Sequence, residues 1–224
     1  MSTEPLERAD LAALPIFPLP DAVLFPGATL PLHVFEPRYR DLARDTLAGR
    51  KALAVARLQP GFERDYEGRP PVFEICGAGR IIDHHLRADG RYDLVLHGLA
   101  RIRILEELAP LHSYREVRAV ALADCPADPA LSVALKTSIA NLWQALAPHL
   151  PIPMQNLRRL TIGADDAGTF ADRLAPLIAD DPETMQQLLS QLDPIERLQL
   201  ITARLQILCD KLGPSSKRAK TELN

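Results

Sequence analysis

Aromatic residues make up 5% of this 224-residue chain, with a single tryptophan, and cysteine occurs three times. Cys76, Cys125 and Cys209 are far apart and odd in number, so they build neither a C-x-x-C metal or redox pair nor a disulfide framework. Reduced thiols in a cytoplasmic protein are the expectation. Long apolar runs are also missing: no stretch reaches the roughly 20 residues of a membrane-spanning helix. The first eleven residues carry Glu4, Glu7 and Asp10 where a signal peptide would have its apolar core. A membrane partner is therefore not expected. The net charge is −3, and the one basic cluster, Lys217, Arg218 and Lys220, stands near the C-terminus, which leaves the rest of the chain more negative still. A negative body with few stacking rings lacks what single-stranded nucleic acid requires, so nucleic acid is an unlikely partner.

Catalytic signatures are equally scarce. A phosphate-cradling G-x-x-x-x-G-K-[ST] loop does not occur, and the glycines of Gly77-Ala-Gly-Arg80 run into an extended segment, where a bulge or tight bend is expected. His84 and His85 are adjacent on an expected strand and so point to opposite faces, unable to share one metal ion. Asp165-Asp166 and Asp180-Asp181 precede helical patterns and read as caps. Ser216-Lys217 lies in a polar tail with nothing to position a nucleophile. No catalytic, cofactor-binding or metal-ligating residues are expected.

What the chain has is proline in unusual places. Leu14 to Tyr39 contains six prolines and one glycine among apolar residues. Each proline fixes φ and removes a donor, so the stretch must be short extended pieces joined by set turns. Pro26-Gly27 marks a turn. Leu30–Phe35 reads as a strand, and Pro37 sits where a helix over 37–48 would begin. Strand-like segments continue to about Ala123, among them 52–57, 72–75, 79–85 and 114–122. Asp89-Gly90 between alternating runs predicts a hairpin. From Asp128 onward the period becomes helical, and Asp128-Pro129, Asp181-Pro182 and Asp193-Pro194 each open a helix with a capping aspartate and a proline at the first position. Glu196 is placed to complete a capping box with Asp193. Leu131, Leu135, Ile139, Leu142 and Leu146 form the apolar stripe of the first of these helices, with Trp143 beside them and expected to be buried.

The run Leu14–Leu19, Phe25-Pro-Gly27 and Leu30–Tyr39 (Leu-Pro-Leu-His-Val-Phe-Glu-Pro-Arg-Tyr) resembles the start of the N-terminal substrate-binding domain of Lon-type ATP-dependent proteases. There an L-P-L-F-P-L run leads to F-P-G and then to L-P-L-H-I-F-E-P-R-Y and a helix. The resemblance implies an α+β protein with a PUA-like β pseudo-barrel at 14–123 and a C-terminal α-helical bundle at 128–213. Residues 1–13 and 214–224 are expected as flexible tails. It implies a non-catalytic module that recognises unfolded or degron-bearing polypeptides, with a protease or chaperone machine as partner. The Lon ATPase loop and Ser-Lys peptidase module are not in this sequence, and Leu212-Gly213-Pro214 reads as a helix end, so a free-standing Lon-domain protein is expected. The alternative is a protein–protein scaffold resembling the Lon-like domain of cereblon; RNA binding through the PUA-like fold has less support. His33, Glu36, Arg38 and Tyr39 are the candidate polypeptide-binding residues. His33 is read first as hydrogen-bonded within the β-core, Glu36 also as a cap for the helix amides, and Tyr39 also as the start of its buried stripe. That leaves Arg38 as the foremost surface candidate.

Overall fold

Proline shapes the first strand of the computed structural model, which describes residues 4–66 and 68–212. Strand β1 (Leu14–Leu19) carries Pro15 and Pro18 yet lies between two neighbours. It runs parallel to β3 (Ala52–Arg57) through Ile16–Leu19 and antiparallel to β6 (Arg115–Leu122) through Leu14–Ile16. Main-chain groups of alternate residues face opposite neighbours, and the carbonyl of Leu19 accepts from Leu58 N on the β3 side. Pro15 therefore faces β3 before that pairing begins, and Pro18 faces β6 after that pairing has ended. Neither missing N–H removes a ladder bond.

Strand β2 (Thr29–Val34) follows the turn, in which Ala28 N donates to the Phe25 carbonyl and Gly27 holds φ +75. Helix α2 (Pro37–Ala48) starts on Pro37 and buries Tyr39, Leu42, Ala43 and Thr46. The expected hairpin forms between β4 (Ile75–Leu86) and β5 (Tyr92–Glu107), with Gly90 at φ +79 in its turn. The order is β2-β5-β4-β3-β1-β6, and β6 pairs back onto β5, so five strands close on themselves while β2 stands outside as an edge. Closure lets β3 be buried on both faces. One cluster holds Phe17, Val34, Leu53, Val55 and Leu96; the other holds Leu14, Ile16, Ala54, Cys76 and Ile102.

Glycine permits the sharpest packing. A Cβ on Gly77 would lie 1.7 Å from the Leu24 carbonyl oxygen, and one on Gly79 1.9 Å from that of His97. The β4–β5 register slips between Ala78 and Gly79, which is the bulge the glycine pair implies.

The chain divides into two units, 1–123 with 181–190, and 124–180 with 191–224. Helix α6 (Pro182–Ser190) thus belongs with the strands and not with the helical bundle expected over 128–213. Its Gln186 side chain donates to the Ile75 carbonyl, and Arg101 of β5 donates to the Leu189 carbonyl near its end. The expected tail at 1–13 also contains structure. Helix α1 (Arg8–Ala12) is held by Asp10, whose buried carboxylate accepts from Arg50 Nε and Arg80 Nη2 and from the backbone N–H of Glu7. Gly213, Pro214 and the tail at 214–224 lie outside the described residues.

The second unit is built from α3 (Pro129–Leu146), the short α4 (Leu157–Leu160), α5 (Ala167–Ile178) and α7 (Pro194–Leu212). Asp128, Asp166 and Asp181 cap α3, α5 and α6 through the amides of Leu131, Thr169 and Thr184. Asp193 accepts from Ile195 N, but the box with Glu196 does not form: Asp193 N donates to Gln191 Oε1, and Glu196 instead accepts from the Gln191 amide. On α3, Ile139, Trp143 and Leu146 are buried whereas Leu131 is 51% exposed, because cover begins only at Leu135. Arg197 is fully buried, paired with Asp124 and, at 3.3 Å, with Asp172.

Candidate functional site

The four candidate residues separate into two places within the β unit. His33 stands on β2 directly opposite Asp93 of β5, and its Nδ1 lies 2.7 Å from the Asp93 carboxylate. Its side chain is 41% exposed, so it lies on the solvent face of the sheet and not within the β-core. Arg87 donates to the same carboxylate through Nε at 2.7 Å. The hydrogen bonds from Arg87 and His33 hold the Asp93 carboxyl down to about 2.

Glu36, Arg38 and Tyr39 form a second cluster at the start of α2. Glu36 makes no side-chain cap bond. Its carboxylate accepts from Arg38 Nε at 3.0 Å and from the Tyr66 hydroxyl at 2.9 Å. Arg38, only 20% exposed at its side chain, also donates to the Tyr66 carbonyl at 3.2 Å, and its guanidinium lies 4.7 Å from the Tyr39 ring centroid and 5.5 Å from that of Tyr66. The foremost surface candidate is thus committed to tying α2 to the 3₁₀ turn Phe62–Asp65 that precedes Tyr66. Tyr39 is 6% exposed and packs on Phe17 with ring centroids 4.4 Å apart, and burial pushes its phenol up to about 12. Tyr66 was not legible as a partner, because nothing local in its polar loop points back thirty residues to Glu36.

The three cysteines differ in access: Cys125 is exposed, Cys209 is half-buried and Cys76 is buried. Cys76 is fully buried with its thiol pushed up to about 12 by desolvation. Among the described residues, no group of three or more His, Cys, Asp and Glu side chains is placed to hold a metal ion. No helix of the described residues is long and apolar enough to cross a membrane.

An open, largely apolar concavity lies in the helical unit, where sequence reading placed no candidate. A groove of about 650 Å³ runs between α3, the turns that follow it and α4, with Phe170 of α5 at one side. Trp143 forms its floor, 2% exposed, with its indole Nε1 donating to the Met154 carbonyl at 2.9 Å. Ile152, 83% exposed, stands on its rim. Lys136 and Arg158 line it, and among the described residues no Asp or Glu does. The only advance sign was the proline-broken stretch Pro148–Pro153, which cannot continue α3 and must turn away from it.

Residues 13–206 match the substrate-binding domain of ATP-dependent protease La (LON), and the chain belongs to that family. It is 26% identical over 202 residues to a Lon protease of Desulfosudis oleivorans, covering 89% of this chain and 25% of that one. A Lon protease of Roseiflexus castenholzii is 32% identical over 200 residues, covering 86% and 24%. The chain therefore spans about a quarter of the length of these relatives. Among solved structures, the N-terminal domain of the Mycobacterium avium complex Lon protease shares the fold at TM-score 0.68 and 18% identity, over 87% of this chain and 98% of that one. A Lon N-terminal domain protein from Xanthomonas campestris superposes at TM-score 0.57 with 26% identity, over 85% and 97%.

Proposed function

We propose that this protein is a non-catalytic module that recognises unfolded or degron-bearing polypeptides in the cytoplasm and presents them to a protease or chaperone machine. The observation that carries this reading is the match of 194 consecutive positions, 13–206, to a substrate-binding domain. The surroundings of the candidate residues support it from the other side: Glu36–Arg38–Tyr66 and His33–Asp93–Arg87 are ion pairs and hydrogen bonds that hold the fold together. The β unit is read as PUA-like, a reading supported by the return of β6 onto β5.

Recognition of this kind is apolar and shallow, and it tolerates salt far better than phosphate-driven binding, whose affinity falls by orders of magnitude as salt rises. Fluorescence anisotropy with a labelled, permanently unfolded chain and a labelled single-stranded RNA, each at 50 and 300 mM salt, tests it. The expected result is salt-tolerant polypeptide binding and no ATP turnover by the pure protein. Tight, salt-sensitive RNA binding without a polypeptide signal, or measurable ATP hydrolysis, overturns it.

A further inference from the structure

Resting on the polypeptide-recognition reading, we infer that the helical-unit groove over Trp143 is the contact site, and that it selects apolar segments carrying acidic side chains. Three features of the groove carry this. Its walls are apolar where they are deep: Trp143 as floor, Leu157 and Phe170 beside it, Ile152 on the rim. A volume of about 650 Å³ falls within the roughly 300–1,000 Å³ of ligand pockets and admits more than one side chain. Its charge has one sign. The Lys136 ammonium is fixed at the wall by the Asp165 carbonyl, 2.5 Å away, and by the Phe170 ring, 5.2 Å from its nitrogen. Arg158 is exposed and, among the described residues, makes no hydrogen bond or ion pair.

The chain as a whole is negative, whereas the described lining of this groove carries two cationic side chains and no carboxylate. A bound segment that carries lysine or arginine meets two like charges at the wall, while one with aspartate or glutamate beside its apolar residue finds a fixed ammonium and an unengaged guanidinium fork. Gln144 and Asn156 on the lining add amide groups for a main chain lying across the opening. Rim charges set partner choice more than total affinity, so the effect belongs in discrimination between sequences.

The test uses the intact protein and two labelled twelve-residue peptides, acetylated and amidated so that every carboxylate is a side chain. Both have the same leucine and phenylalanine positions; one carries aspartate and the other lysine between them. The chain's one tryptophan reports occupancy of this groove directly through its emission. The wild type is expected to bind the acidic peptide about tenfold more tightly than the basic one, with a change in Trp143 fluorescence. Arg158→Glu should erase or invert that preference. Ala140→Phe, at an exposed position on the wall, should fill the groove and weaken both peptides about tenfold at an unchanged melting temperature, with Trp143 still the one tryptophan. Equal binding of both peptides, or binding unmoved by the two substitutions, overturns the inference. A labelled unfolded chain run alongside separates the failures. If it binds while neither peptide does, the groove assignment falls and the recognition reading stands; if none of the three binds, both fall.

Discussion

Asp93 shows how a motif histidine can be structural. Its carboxyl titrates at about 2 because Arg87 and His33 both donate to it. A carboxyl whose folded value lies below its unfolded value of about 3.9 stabilises the fold above that value, and this stabilisation fades as pH falls from about 4 toward 2. Asp93→Asn should therefore lower the melting temperature slightly at pH 7 and hardly at all near pH 2, a comparison that two thermal melts provide. The size is small because both partners are solvent-exposed. Trp143 is the opposite case. It is buried and hydrogen-bonded, so Trp143→Ala should cost about 3–5 kcal/mol in urea unfolding while Trp143→Phe keeps most of the packing. Its burial was legible from the stripe on α3. The role of Arg38 was not, because an arginine left over by a helical pattern looks free until the loop that holds it is placed. Tyr66 supplies that loop, and only the tertiary fold brings it to Glu36.

Elements announced themselves where a local conformation had one solution. Three Asp-Pro pairs opened α3, α6 and α7, and Asp89-Gly90 closed the β4–β5 hairpin, because caps and turns are decided within a few residues. Asp128→Ala should accordingly cost about 1 kcal/mol, measured by chemical unfolding, through the lost bond to Leu131 N. Two glycines make a sharper pair. Gly27 has open space around its Cβ position but a φ of +75, so Gly27→Ala should cost about 1–2 kcal/mol of backbone strain. At Gly77 the added carbon meets the backbone of Leu24 at 1.7 Å, which no rotamer change relieves. Gly77→Ala should cost about 4 kcal/mol or more, and equal unfolding midpoints for the two variants would contradict this account. Helix α1 escaped the sequence reading because five residues carry too little pattern; the ion cluster of Asp10 with Arg50 and Arg80 holds it instead.

At the scale of the molecule, the change of period near residue 124 marks a real boundary, but the chain crosses it more than once. Residues 181–190 return to the β unit, a fact no periodicity contains, since an amphipathic helix shows which face is buried and not what buries it. Leu188 and Leu189 of α6 are fully covered, Gln186 donates to the Ile75 carbonyl of β4, and the buried Arg101 of β5 donates to the Leu189 carbonyl. A fragment ending at 123 therefore lacks part of its own unit. It loses the burial of two leucines, each about 1.5–3 kcal/mol, and leaves polar groups of β4 and β5 without the partners α6 provides. The fragment 1–123 should be roughly 3–6 kcal/mol less stable in urea than the same fragment joined by a flexible Gly-Ser linker to residues 181–192. Amide exchange along β4 near Ile75 should slow in the joined form. Equal stability of the two fragments would mean that α6 is dispensable to the β unit, and a boundary at 123 would then suffice.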